Sequence, residues 1–509
     1  MGKKFPEYLA KNKLFIVIFL FALLYISSLN GYLSLFGDDA LFVVLAESIT
    51  QGKYALISEP GEPAHAKHPP FFPLLLSPII MLFGHNYLMM KIIPCLSLII
   101  GLFVLYKILM ELDPSLSRKV LVVSASFPLV YIFSHVLMSE AVYILLSLGA
   151  LYFLNKMFQE RKTFSLSLIL GAVFAALAFL TRAIGITIIL AAVMTGAIRF
   201  FAGKKRKKIF LQTAGVGIIF FCLCLFWLIG MFQGGGPEYI SEFAEGEDNQ
   251  LIKGESVFPD TKTNLAYRLL DNLYYYSGPI ISLDLSKIIS AEKLKLGEYV
   301  VPFGIITWIL IFSGLTARLL RRQSIFDVYV LFYLAVVFLW FWRSLRFLSP
   351  ILPFLILYFF LSLRFLLKLL SKKHARLSFS LIYGLVLMLS VSGFFYEFRR
   401  QHRSPFYNKE WDSYYKASLW LRQADEGIVL SRKSPNTFLW SGHKSLMAPV
   451  TSDVEFMKEF IEKNDVRYVI IDEIERYRTG EYLSFIPQSG QFRLIHQEDH
   501  ARVFERISR

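Results

Sequence analysis

"LFIVIFLFALLYISSLNGYLSLFGDD", Leu14 to Asp39, is an apolar run ending at about Leu35 and followed closely by two adjacent carboxylates. About 20 apolar residues are enough to cross the hydrocarbon core of a bilayer. Lys3, Lys4, Lys11 and Lys13 precede the run, which is longer than a signal-peptide core and has no clear A-x-A cleavage site. It reads as a retained first span with its N-terminus in the cytoplasm. Ionisable groups are costly at the end of such a span and usually line a site or pair with one another. Asp38 and Asp39 therefore raise the question of what gathers around them.

The rest of the 509-residue chain repeats the pattern, with 55% hydrophobic and 18% charged residues. That composition points to a polytopic α-helical membrane protein rather than a soluble one. About eleven transmembrane helices are predicted, at 14–35, 87–110, 119–138, 140–156, 164–181, 183–201, 209–232, 298–317, 325–342, 347–367 and 377–396. The segment "FFPLLLSPIIMLF" (71–83) is too short to cross and is expected at the interface, together with an amphipathic helix over 39–51. Cys95, Cys222 and Cys224 all lie in apolar runs, so no disulfide framework is implied.

The net charge of +15 sits mainly in short loops, which argues for orientation signals and against nucleic acid. Starting inside and alternating, the cytoplasmic loops carry Arg118-Lys119, Lys156 to Lys162, "KKRKK" (204–208), "RLLRR" (318–322) and "KLLSKKHAR" (368–376). The outer loop 233–297 begins with "QGGGP", read as a turn, and an acidic stretch, "PEYISEFAEGEDNQ". The same threading puts Asp38, Asp39, His65, Lys67, His68, Glu140, Arg182, Arg343 and Arg346 at the outer boundary, where a site is expected. There is no Walker loop and no G-x-S-x-G. An outward site has no cytosolic nucleotide, so an activated substrate must arrive in the lipid.

From about 397 the composition changes. "WDSYYKASLWLRQADE" and "TSDVEFMKEFIEKND" read as helices, "GIVLSR" and "VRYVIID" as strands, and "FRLIHQEDHARVFERI" as a hairpin turning at Glu498–Ala501. The domains expected are thus a transmembrane unit, 1–396, with a first outer loop over 36–86, and a small extracytoplasmic α/β domain, 397–509. His443 and Asp472 are read as ordinary residues of that domain.

An acidic pair after the first span, then "HAKHPPFFPLLLSP" some thirty residues on, resembles the first outer loop of the GT-C glycosyltransferases. "SEAVYILLSLGALYF", "AALAFLTRAIGITIILA", "RFLSPILPFLILYF" and the tail stretches "SGHKSLMAP" and "DVRYVIID" are similar, in order, to the bacterial protein-mannosyltransferase-like and aminoarabinose-transferase-like group. The resemblance implies transfer of a sugar, with inversion, from a polyprenyl-phosphate carrier to a lipid, glycan or protein acceptor at the outer face of the inner (plasma) membrane.

It also implies roles. Asp38 is the expected general base, with Asp39 beside it, and two close carboxylates would raise one another's pKa. The alternative is that Asp38 merely caps helix 39–51. His68 stands where relatives place a cation on the lipid phosphate, with Lys67 adjacent, against the alternative of snorkelling loop residues before a Pro-Pro stop. Arg346 and Arg182 suit a phosphate bidentately, and Glu140 is expected to pair with one of them. His65 and His68 near the acidic pair could hold a divalent metal, but the group resembled needs no cofactor. Rival readings are a transporter or flippase, an O-antigen-type ligase or polymerase, and a non-catalytic assembly factor.

Overall fold

Helices dominate the structure, a computed structural model that describes residues 4–35, 38–203, 206–233, 265–282, 297–340, 343–403, 406–449, 451, 453–474 and 479–507. The "GGGP" of the expected turn, the acidic stretch 237–250, and Lys204 and Lys205 lie outside the described residues. Helix α1 is Lys4–Ser27, α2 Asp39–Thr50, α3 Phe71–Phe83, α4 Tyr87–Leu112, α5 Ser117–Ala125, α6 Pro128–Ile132 and α7 Glu140–Gln159. Then follow α8 Leu166–Thr181, α9 Ile186–Ala202, α10 Arg206–Gln233, α11 Leu265–Ser282, α12 Gly297–Arg321, α13 Ile325–Leu339, α14 Leu352–Leu370 and α15 Ala375–Gln401.

Among the described residues, 7 helices are long and apolar enough to cross a membrane. Shorter apolar helices cover Leu14–Ser27, Leu166–Thr181 and Ile325–Leu339, where full spans were expected, and Phe71–Phe83, where none was. The protein is multi-pass. The clearest departure is at 119–138, which is not one helix but α5, α6 and a non-helical stretch. Pro128 is the reason: proline lacks an N–H and pushes the preceding residue out of the helical region. Phe127 is accordingly extended, with φ −72° and ψ 125°. The 9 residues of α5 reach only about 14 Å, under half of a bilayer core.

The first span also stops early. Ser27 and Ser28 turn their hydroxyls back to the Leu24 carbonyl, each at 2.9 Å, and Asn30-Gly31 follow. The segment 233–297 is not all loop, because it contains α11. Asn272 donates to the carbonyls of Phe338 and Trp340, both at 2.7 Å, and Arg268 to that of Leu339 at 3.3 Å. These side chains serve carbonyls at the end of α13 that have no intrahelical partner. The backbones of α11 and α12 touch: a Cβ added to Gly304 would stand 1.9 Å from the Ser277 oxygen.

Helix ends sort into two groups. At one, Asn155 meets Glu111, Arg364 meets Asp113, and Arg318 meets both Asp327 and the Leu112 carbonyl. At the other meet the starts of α2 and α7, the end of α8 and the segment before α14.

The tail contains α16 Lys409–Trp420, β1 Ile428–Ser431, α17 Ser434–Ser441, β2 Ser445–Met447, α18 Val454–Lys463 and β3 Val466–Asp472. After these come α19 Thr479–Tyr482, β4 Phe492–Glu498 and β5 Ala501–Arg506. The sheet order is β2-β1-β3-β5-β4; the first three strands are parallel, and β5 runs antiparallel to both β3 and β4. The expected strands, hairpin and two helices are present, and Asp453 caps α18 by accepting from the Phe456 N–H at 3.0 Å. Strand β2 and helix α17 had not been foreseen. This domain grips the first loop: the Ser445 N–H donates to the Ser58 carbonyl at 2.8 Å, and Lys444 reaches Glu62 at 2.6 Å.

Candidate active site

Asp38 occupies the residue before α2, and its carbonyl accepts the Phe42 N–H at 2.9 Å. Its side chain does not cap the helix. The carboxylate turns instead to Arg346, whose Nη1 donates to Oδ2 at 3.1 Å. The cap reading thus holds for the backbone and fails for the side chain. Arg346 lies in a short 3-10 turn, Leu345–Leu348, because the chain has left α13 and Pro353 opens α14.

Arg346 Nε also stands 3.8 Å from Glu140 Oε1, and Arg182 Nη1 stands 2.7 Å from the same oxygen. Glu140 is fully buried at the start of α7, yet neither of its oxygens accepts a hydrogen bond among the described residues. The guanidiniums compensate its charge without a well-directed hydrogen bond. Arg182, the residue ending α8, also donates to Ser139 Oγ at 3.0 Å. Asp38, Arg346, Glu140 and Arg182 therefore form one chain of alternating charge.

The acidic pair divides. Burial pushes the Asp38 carboxyl up, but Arg346, His68 and Arg182 together outweigh it and hold the group below the usual carboxylate range. This corrects the expectation that mutual repulsion raises its pKa. Asp39 is 1% exposed, and burial raises its pKa against the pull of Ser34 and Lys433; the charge of Asp38 is the least of the causes. Ser34 Oγ donates to Asp39 Oδ2, while Oδ1 has no partner among the described residues.

The loop before α3 presents the histidines. Tyr54 and His65 face each other across a hairpin-like turn, with the His65 N–H on the Tyr54 carbonyl at 3.0 Å. His65 Nε2 accepts the His68 backbone N–H at 3.1 Å, so it carries no proton. The 2.9 Å contact between the rings then makes His68 Nδ1 the donor. Burial lowers His68 to about 4 and His65 to about 3, with the positive charge of Lys67 acting in the same direction on both. Both rings are neutral at pH 7, so His68 is not the standing cation that was expected. Among the described residues its Nε2 makes no hydrogen bond, which leaves it able to take a proton. Lys67 is partly exposed beside them.

No three His, Cys, Asp or Glu side chains come together as a metal-binding group among the described residues. Arg343, also expected at this boundary, is taken by Asp271 of α11. Sequence reasoning missed Lys433, which precedes α17 and whose charge acts on both Asp39 and Asp38. Helix α17 packs on α2, so the tail domain contributes to the site's electrostatics. Nothing in the local sequence marks that lysine. The pairing of Asp271 could have been sought, since α11 has an amphipathic pattern. His443 is buried with its ring nitrogens 3.2 Å from the Gly427 and 2.7 Å from the Leu421 carbonyls, and Asp472 is held by Arg432 and Thr479.

Residues 67–229 match the family described as dolichyl-phosphate-mannose-protein mannosyltransferase. No curated protein matches the chain by sequence. Among solved structures, ArnT from Cupriavidus metallidurans in the apo state superposes with a TM-score of 0.58 at 12% identity, covering 97% of this chain and 98% of that one. The same protein bound to undecaprenyl phosphate gives 0.57 at 11% identity, covering 98% and 99%. The oligosaccharyltransferase AglB from Archaeoglobus fulgidus, in complex with an inhibitory peptide and a dolichol-phosphate, gives 0.56 at 13%, covering 91% of this chain and 70% of that one. The chain shares its fold with these solved structures.

Proposed function

We propose, from the premise of a GT-C fold, that the protein is an inverting glycosyltransferase. It would move a sugar from a polyprenyl-phosphate carrier to an acceptor hydroxyl at the outer face of the plasma membrane. The observation that supports this best is the alternating chain Asp38–Arg346–Glu140–Arg182, in which a buried carboxylate keeps two guanidiniums in place without a well-directed hydrogen bond. The undecaprenyl phosphate and dolichol-phosphate in the similar structures make a lipid phosphate the natural anion for such a site.

The geometry suits the following step. The acceptor oxygen attacks the anomeric carbon and gives its proton to Asp38. The bond from that carbon to the phosphate oxygen breaks, and polyprenyl phosphate leaves with the electron pair. Arg346 and Arg182 stabilise the charge on the departing phosphate, the usual electrostatic device for such groups. An arriving phosphate competes with Asp38 for Arg346. As that guanidinium turns away, the force holding the Asp38 pKa down weakens and the carboxylate becomes the stronger base. The phosphate likewise favours a proton on His68 Nε2, and Lys67 adds a fixed charge. Asp39, buried and held by Ser34, is a secondary candidate for the base. No step in this reading requires a metal.

The test is purified protein with defined polyprenyl-phosphate sugars, measuring released polyprenyl phosphate. Absence of release with every donor, from folded protein, would overturn the reading. Its sidedness is tested by single cysteines at the exposed positions 206, 373 and 455 with a membrane-impermeant thiol reagent. Only position 455 should label from outside, and labelling of position 206 would reverse the orientation.

A further inference from the structure

The described residues also line a half-open cavity of about 210 Å³, bounded by the segment after α1, the start of α4 and the tail domain. Tyr32, Tyr87, Tyr415 and Trp440 line it, together with Arg422 and His85. Its wall is continuous in the chain with the residue that holds Asp39. Leu33 belongs to its wall and gives its carbonyl to the Tyr407 hydroxyl at 2.8 Å, and the next residue, Ser34, holds Asp39. Arg346, Glu140 and Arg182 gather around Asp38 instead.

Size and chemistry restrict the occupant. Pockets for drug-sized ligands measure roughly 300–1,000 Å³, so this one suits a single ring and not a lipid tail or an extended peptide. Its aromatic walls are held rigidly. Tyr32 stacks on Phe406 at 4.9 Å and 7°, and Tyr415 meets Trp440 edge-on at 5.1 Å. Its polar groups are pinned as well. Arg422 Nε donates to the Trp440 carbonyl at 2.5 Å, which orients the remaining guanidinium N–H groups, and His85 is held by Glu47 at 3.2 Å. Flat apolar surfaces with a few fixed donors match a ring whose faces carry C–H bonds and whose edge carries hydroxyls.

We infer that this cavity binds one sugar ring of a glycan acceptor. Describing that sugar as the acceptor rests on the transferase reading; its binding does not. The side chains that recognise it are Tyr32 and Arg422, neither of which belongs to the charged cluster.

The experiment is saturation-transfer NMR on the full chain in nanodiscs, with methyl glycosides of a hexose, an N-acetylhexosamine and a hexuronic acid as probes. Transfer to the ring protons of at least one probe is expected, with affinity about fivefold weaker in Tyr32→Ala and in Arg422→Gln. Tyr32 is 48% exposed, so its substitution leaves the fold intact. Transfer to none of the three probes, or undiminished transfer in both variants, would overturn the inference. If sugars bind as expected but no donor releases polyprenyl phosphate, the cavity assignment stands and the transferase reading falls.

Discussion

Two buried clusters of arginine and carboxylate sit at opposite ends of the helix bundle and are bonded in opposite ways. Asp327, at the start of α13, receives Arg318 Nε and the Tyr358 hydroxyl on Oδ1, both at 2.8 Å, and Ser324 Oγ on Oδ2 at 2.5 Å. Arg318 spends a further N–H on the Leu112 carbonyl at 3.2 Å. Every oxygen of that carboxylate is used. Glu140 is equally buried and faces two guanidiniums, but it accepts no well-directed hydrogen bond among the described residues. Its partner Arg346 leads to an Asp38 side chain that is 32% exposed. A buried polar group left unsatisfied calls for a reason, because low dielectric makes it costly. A saturated cluster locks helices together, and an under-bonded one next to a partly open carboxylate is suited to receive a charged ligand.

Substitutions can break this contrast. The largest effect is expected from Asp38→Asn, which should lower turnover by about 10²–10⁴-fold without weakening donor binding, since the base acts in the transition state and its charge competes with the phosphate for Arg346. Single-turnover rates and donor titration measure the two separately. Near-normal turnover would move the base to Asp39 or Glu140.

Arg318→Met should act on stability alone. It strands the buried Asp327 charge and is expected to cost about 3–5 kcal/mol. Thermal unfolding in detergent should show the loss, with turnover per folded molecule retained. A stable but inactive variant would erase the difference between the two ends.

Arg346→Gln should weaken donor binding about tenfold, the equivalent of 1.4 kcal/mol. It should also move the acid limb of the pH–rate profile. Arg346 holds the Asp38 pKa low, so the wild-type base stays ionised to below the usual carboxylate range; without Arg346, burial prevails and the limb shifts to higher pH. An unchanged limb would mean that the titrating base is not Asp38.

Smaller still is His68→Ala. The ring is neutral at pH 7, and a bound phosphate raises its pKa, so donor binding takes up a proton and weakens as pH rises through the bound-state value. His68→Ala should lower affinity a few-fold and flatten that pH dependence, with partial recovery in His68→Lys. Donor titrations across pH 5–8 measure it, and an equally steep dependence in the variant would remove His68 from the phosphate site.

Much of this was legible in the sequence, and the failures have identifiable causes. Hydropathy marks the spans because backbone groups in lipid must bond within helices, and the pattern of the tail marks β1, β3 and the hairpin of β4 and β5. Charges near helix ends predict which residues share a boundary, and Asp38, His68, Glu140, Arg182 and Arg346 do gather at one end. Hydropathy misread 119–138, where a single proline outweighs the apolar content, and it left α11 inside a loop.

What the sequence by itself determined is therefore the class, the membrane-spanning helices and the end at which polar residues collect, because these depend on local composition and on the cost of charge in lipid. Only the tertiary structure decided the pairing. Whether Asp38 faces Arg346 or caps its own helix depends on contacts 308 residues apart in the chain. The same holds for Lys433, brought to the acidic pair by the packing of α17 on α2, and for the neutrality of His68, which is set by the groups packed around it. Composition and spacing carry no record of those distances, and it is the distances that gather a set of polar residues into one charged cluster.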